Sequence, residues 1–217
     1  LLAFTGLDEQ QLEFNEMIKI SSTHLLALIN NILDFSNIES MKLVLEKRPF
    51  NILDVVVKSK NLIKNLLSDK NINLIYEIDA GINYEVIGDQ LRFKQVLINL
   101  LSNAVKFSQP GKKIKVKLSQ KSLIGNKAEI VLSVADEGIG IAEDRIHEIF
   151  EQFHQLDESL TKQYGGAGLG LSIVKGLVTL MGGTVSVKSE PDKGSEFIIE
   201  TPFEISRKTG DYKFNLN

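Results

Sequence analysis

Four short stretches of this chain hold residue types that do chemistry when they meet in space. In the first, Asn99-Leu100-Leu101-Ser102-Asn103-Ala104-Val105-Lys106-Phe107, a helix would place Arg92, Gln95, Asn99, Asn103 and Lys106 on one face. Leu97, Leu100, Leu101 and Ala104 would fall largely on the other. An amide oxygen is a hard ligand suited to Mg2+, and a lysine three residues further on can meet phosphate charge. A plain amphipathic surface helix has the same pattern. The second stretch, Asp136-Glu137-Gly138-Ile139-Gly140, joins a carboxylate able to accept from an exocyclic amine to two glycines that let backbone approach a flat ring. An ordinary turn would read the same way. The third, Gly165-Gly166-Ala167-Gly168-Leu169-Gly170, runs into an apolar helix. Free N–H groups and the positive helix end make an anion cradle. No Lys-Ser/Thr pair follows the second glycine and no strand precedes the loop, which disfavours a P-loop and a dinucleotide fold. The fourth, Gly194-Ser195-Glu196-Phe197, opens a strand and is by itself an ordinary turn.

The rest of the chain must supply elements that hold these stretches. Its 217 residues are 43% hydrophobic and 24% charged with a net charge of −3, the balance of a globular domain and not of a basic nucleic-acid surface. The absence of cysteine excludes a disulfide scaffold and thiolate metal sites, and His24, His147 and His154 are not clustered. No apolar run approaches the roughly 18–20 residues of a membrane helix. The chain opens on Leu1-Leu2-Ala3-Phe4, which reads as the tail of an upstream helix. The expectation is a cytoplasmic piece of a longer protein, with any membrane segment lying elsewhere.

Along the chain, Gly6 stops that first helix and Asp8 caps a second, which runs to about Leu45. Phe14, Met17, Ser21, His24, Leu28, Asn31, Phe35 and Ile38 form one row on it, with Ile18, Leu25, Ile29, Ile32 and Ser36 beside them. So wide a stripe calls for bundle partners: the truncated helix and a second chain. Glu46-Lys47-Arg48-Pro49 reads as a hinge. Asn51 or Asp54 then caps a helix through Leu67. Strands are expected at 72–78 and 84–87, a helix at 89–107, and strands at 113–118 and 129–135 joined by a Gly125-Asn126 hairpin turn. The alternating lysines of 112–117 read as a solvated strand face. A short helix near 143–150, a helix at 171–181, strands at 184–189 and 195–202 and a polar tail from 206 complete the reading.

In order and spacing, these stretches resemble the nucleotide-binding boxes of sensor histidine kinases. Asn99/Asn103 look like the N box, Asp136/Gly138/Gly140 the G1 box, and Phe150-Glu151-Gln152-Phe153 the F box. Gly166/Gly168/Gly170 look like the G2 box and Gly194/Phe197 the G3 box, while Ile32–Ser40 resembles the second bundle helix of that family. The resemblance implies an α+β fold: a two-layer sandwich of the Bergerat type, a mixed sheet covered by helices, preceded by a long helix of a dimeric four-helix bundle. It divides the chain into a partial bundle (1–46), a catalytic ATP-binding domain (47–205) and a tail (206–217).

The resemblance also implies ATP and Mg2+ as cofactors. Asn103 would hold Mg2+ beside Asn99, Lys106 and Arg92 would meet phosphate, and Asp136 would bind the adenine amine. Gly138, Gly140 and Ile141 would line the adenine pocket. Gly166, Gly168, Leu169 and Gly170 would form the lid, anchored by Phe150 and Phe153. Implied partners are a second copy through the bundle helix and the receiver domain of a response regulator. The family's phosphoaccepting histidine box is not found in the sequence; His24 matches a packing position, and His147 and His154 a surface or lid position. The γ-phosphoryl group would therefore pass to a histidine outside this chain. Rival readings are an ATP-driven conformational clamp of the same fold, which would carry an acid near Gln95 or Asn99, and a non-catalytic dimerising scaffold.

Overall fold

The computed structural model describes residues 6–151 and 168–208; Phe153, His154 and Gly166 lie outside them. Helix α1 (Glu9–Glu39) starts at a reciprocal cap, in which Asp8 accepts the Gln11 N–H and the Gln11 side chain accepts that of Asp8. It stops at Glu39, short of the expected Leu45. Met41 turns into the left-handed region at φ 53°, and the N–H groups of Lys42 and Leu43 both return to the Asn37 carbonyl. The reversal lets Leu43 pack on the core.

Arg48-Pro49, expected as a hinge, instead belongs to strand β1 (Arg48–Asn51), which pairs antiparallel with β3 (Tyr84–Gly88) and sets Pro49 opposite Ile87. A proline is tolerated there because β1 is the sheet edge. Asn51 caps α2 (Ile52–Leu62), accepting from the N–H groups of Leu53 and Asp54. The helix expected to reach Leu67 breaks at buried Ile63, and α3 (Lys64–Asp69) follows.

The remaining elements are β2 (Asn73–Ile78), α4 (Gln90–Phe107), β4 (Lys113–Ile124), β5 (Lys127–Asp136), α5 (Gly170–Leu180), β6 (Thr184–Glu190) and β7 (Gly194–Lys208). The sheet runs β1-β3-β7-β5-β4-β2, with β6 also on β7. Among the described strands only β2 and β4 pair in parallel. On one flank β7 pairs with β6 as far as Glu200 and with β3 from Glu204 onward. Pro202 falls at this changeover, so the strand continues past the point where the sequence suggested it would end.

Helices α2, α4 and α5 bury their apolar faces against this sheet. From α4 these are Phe93, Val96, Leu97, Leu100, Leu101, Ala104 and Val105, the face expected from its spacing. From β4, Ile114, Val116 and Leu118 point inward and Lys113, Lys115 and Lys117 outward. The expected hairpin turn carries Gly125 at φ 63°. Phe50, Phe93 and Phe203 meet with ring centroids 5.9–6.1 Å apart and tie β1, α4 and β7 together.

Among the described residues, helix α1 reaches this body near its C-terminal end, where Phe35 and Ile38 pack on the core. Further back, Phe14, Met17, Ile18, Leu25, Ile29 and Ile32 stay exposed. Two contacts seat the end of α1. Asp34 accepts Arg92 Nη1 and Gln95 Nε2, both at 2.7 Å, while Arg92 Nη1 also donates to Gln95 Oε1 at 2.8 Å. Ile38 fills the hollow above Gly176, where an added Cβ would lie 2.6 Å from Ile38 Cγ2. Gly176→Ala should therefore push α1 off α5 while strengthening α5 itself, since alanine is the better helix former by about 1 kcal/mol. Spin labels on α1 and α5 should move apart while thermal melting of the nucleotide-binding body does not fall. An unchanged spin–spin distance would show that docking does not depend on this contact.

Candidate nucleotide site

Asp136 is the last residue of β5, set between Ile114 of β4 and Ser195 of β7. Its carboxylate accepts the Gly138 N–H at 2.8 Å and the Ser195 backbone N–H. Burial outweighs both and pushes its pKa up to about 6. Gly138 lies flat between this carboxylate and the end of α4. A Cβ there would sit 2.6 Å from Asp136 Oδ1 and 2.6 Å from the Phe107 carbonyl oxygen. Ser108 and Gly138 form a β-bridge at the same point.

The turn after Gly138 is held from outside. Gly140, at φ 69°, passes so close to the Glu190 carbonyl that a Cβ would come within 2.0 Å of its oxygen. The Ile141 N–H donates to Ser189 Oγ at 2.8 Å, and Ser189 Oγ donates to the Gly194 carbonyl at 2.9 Å.

On α4, Asn99 Nδ2 donates to the Gly170 carbonyl at 3.4 Å, and Asn103 Nδ2 lies 4.0 Å from where a Cβ on Gly170 would stand. Helix α5 begins at Gly170, after Gly168 at φ 69° and buried Leu169, and no described side chain caps it. The first N–H groups of a helix lack partners within it and suit an anion. Lys106 Nζ rests 5.0 Å from the Phe107 ring centroid, and burial lowers its pKa. The helix expected near 143–150 is two short 3-10 turns, Glu143–Arg145 and Glu148–Phe150. Phe150 ends the second, half-buried, with Lys175 Nζ 5.8 Å from its ring centroid.

Gly140 and Ile141 are held against Glu190 and Ser189, and Gly168 and Leu169 precede Gly170 in the chain. The structure thus sets Asn99, Asn103, Lys106, Gly170 and Gly138, the last next to Asp136, along the C-terminal half of α4. It does not bring Arg92 there. Arg92 lies eleven residues before Asn103, about 16 Å along the helix axis, and is held by Asp34. Sequence reasoning missed Asp34 and Ser189, and no local pattern marks a serine at a strand end as the brace of a distant turn.

A strand-end carboxylate beside a glycine turn, an asparagine-bearing helix and an uncapped helix start define an ATP-binding domain of the mixed-sheet class. The model of the histidine kinase-, DNA gyrase B- and HSP90-like ATPases matches residues 88–205, and the chain belongs to that family, as a histidine-kinase-type catalytic ATPase domain. It is 38% identical over 195 residues to the autoinducer 2 sensor kinase/phosphatase LuxQ of Vibrio parahaemolyticus, covering 89% of this chain and 23% of LuxQ. It is 40% identical over 209 residues to hybrid signal transduction histidine kinase B of Dictyostelium discoideum, covering 96% and 11%. The chain spans less than a quarter of the length of these relatives. Among solved structures, full-length ShkA in complex with AMPPNP aligns with a TM-score of 0.79 at 32% identity, over 94% of this chain and 41% of ShkA. Among the described residues no helix is long and apolar enough to cross a membrane.

Proposed function

We propose that this chain is the catalytic core of a two-component sensor histidine kinase, which binds Mg-ATP and passes its γ-phosphoryl group to a histidine outside these 217 residues. The observation that carries this reading is the convergence on α4. Gly170, at the start of α5, comes beside Asn103, and Gly138, next to half-buried Asp136, abuts the same helix at Phe107.

In this reading Asp136 accepts from the adenine amine, and Gly138, Gly140 and Ile141 line the ring. Asn103 offers its amide oxygen to Mg2+ with Asn99 beside it, and Lys106 meets phosphate. Gly166, Gly168, Leu169 and Gly170 form the lid, with Phe150 and Phe153 as its anchor. An amide oxygen is a hard donor of the kind Mg2+ accepts, and Mg2+ keeps several waters and takes further oxygens from substrate phosphates, so Asn103, beside the start of α5, suits an ion carried in with the nucleotide. The ion supplies charge neutralisation at the phosphates; the chain's own residues position the nucleotide and exclude water. Arg92 has no part in phosphate binding in this reading, because its guanidinium is committed to Asp34.

The exposed apolar side chains of α1 suit the bundle of a homodimer, with residues 1–46 as its partial bundle, 47–205 as the catalytic domain and 206–217 as a tail. A response-regulator aspartate would take the phosphoryl group onward, and the domain would work in the cytoplasm. A conformational clamp is disfavoured because Gln95 and Asn99 stand where its catalytic acid would be. A dimerising scaffold would not bind nucleotide.

Calorimetry tests the reading. Mg-ATP should bind, and Asn103→Ala should weaken it by about tenfold or more, some 1.4 kcal/mol, with adenosine binding nearly unchanged. Equal losses for both ligands would remove the metal role. With γ-labelled ATP this chain alone should stay unlabelled, whereas a chain extended upstream should carry acid-labile label. Label on this chain that is lost on His24→Ala would overturn the acceptor assignment.

A further inference from the structure

The last turns of α4 carry Asn103 and Lys106, and a single side chain from another element holds the carbonyls at that end. Lys70, the residue that closes α3, reaches across with Nζ 2.9 Å from the Val105 carbonyl, 2.7 Å from that of Lys106 and 3.0 Å from that of Ser108. The final carbonyls of a helix have no partners within it and form the negative end of its dipole, and an ammonium offers three donors. The backbone of Lys70 is tied to the same region, because its carbonyl accepts the Gly111 N–H at 2.9 Å. Lys70 is half-buried, and desolvation lowers its pKa, so these carbonyls stand in for water around the ammonium.

On its other side the same helix end meets the adenine-side turn, where Gly138 presses on the Phe107 carbonyl and bridges to Ser108. The end of α4 is therefore gripped between Lys70 and the Asp136–Gly138 turn. We propose that Lys70 is a positioning residue for the nucleotide site, setting the last turns of α4, and with them Asn103 and Lys106, against that turn. This rests on the nucleotide-binding reading above. Lys70 acts through α4 and does not touch the nucleotide.

The test compares Lys70→Met, which keeps the apolar stem and removes the donors, with Lys70→Arg, which keeps charge and donors. Mg-ATP affinity is measured well below the melting temperature, and hydrogen exchange is followed at amides 103–108 and 138 without nucleotide. Lys70→Met should quicken exchange at the end of α4 and lower Mg-ATP affinity about tenfold or more, and Lys70→Arg should recover most of both. If Lys70→Met does not fold, Lys70→Gln is read in the same way. Quickened exchange with unchanged affinity would reduce Lys70 to a helix cap and overturn the proposal, as would unchanged exchange. If the unsubstituted chain fails to bind Mg-ATP, the nucleotide reading falls and the positioning role falls with it. The exchange data would then still show whether Lys70 clamps α4.

Discussion

Asp136→Asn is expected to weaken ATP binding about a hundredfold and, at the same time, to make the ligand-free protein more stable at neutral pH. Both effects come from one half-buried charge. The folded-state pKa of about 6 stands above the ordinary aspartate value of 3.8 because burial disfavours the ionised form more than the N–H groups of Gly138 and Ser195 favour it. Between those two values the folded state binds more protons than the unfolded one. Stability is therefore greatest below this window and declines as pH rises through it, leaving a deficit of roughly 3 kcal/mol at most above pH 7. Asparagine removes the charge but keeps only one acceptor oxygen for the N–H groups of Gly138 and Ser195, so the gain falls short of the full deficit.

The cost appears in binding, since an amide is a weaker acceptor than a carboxylate for an adenine amine. Losing a charged acceptor is worth about 3 kcal/mol, or roughly a hundredfold in affinity. In the unsubstituted chain, affinity should be flat above pH 7 and fall as pH drops below about 6, where Asp136 takes up a proton. Calorimetry and thermal melts across pH 5–8 check both halves. Retained tight binding by the variant, or a lower melting temperature at pH 7.5 without nucleotide, would defeat this account of Asp136.

The second large effect belongs to Gly194→Ala, at a position remote in sequence from Asp136. Gly194 has φ 95°, and a Cβ on it would lie 1.9 Å from the Asp136 carbonyl oxygen and 3.0 Å from Glu137 Cα. Neither side can yield easily, because Asp136 and Ser195 are partners in the β5–β7 ladder. Backbone strain of about 1–3 kcal/mol and a clash of similar size should combine to roughly 3–5 kcal/mol. ATP binding should be lost with it, since the displaced backbone is that of Asp136.

Gly111→Ala is the matched control. Its φ of 78° is also left-handed, but nothing lies within 4 Å of the added Cβ. Strain alone, about 1 kcal/mol, should remain. Urea unfolding of the two variants separates the terms, and equal losses would mean that the close approach at Gly194 carries no weight.

Much of this protein is legible before folding, wherever the signal is local. The two faces of α4 follow from side chains three and four apart, and the inward and outward residues of β4 from strict alternation. The Asn51 cap and the Gly125-Asn126 turn are marked by residue types that satisfy their own neighbouring backbone. Asn99, Asn103, Asp136 and Gly138 could be picked out as candidates because their types and order are unusual in a single chain.

What the sequence could not decide is which groups are free to meet a ligand. Arg92 and Asn103 share a helix face and look equivalent by spacing, yet Arg92 is taken by Asp34, 58 positions earlier, while Asn103 is left beside Gly170. No spacing singles out Lys70; its role exists only once α3 packs beside the end of α4. Gly194 reads as a plain turn until β7 lies down against β5. The physical reason is the same in each case. Helix and strand periodicity are encoded by neighbours a few residues apart, whereas partners for a charge, a helix end or a missing Cβ come from distant segments and exist only once the core has closed around the sheet.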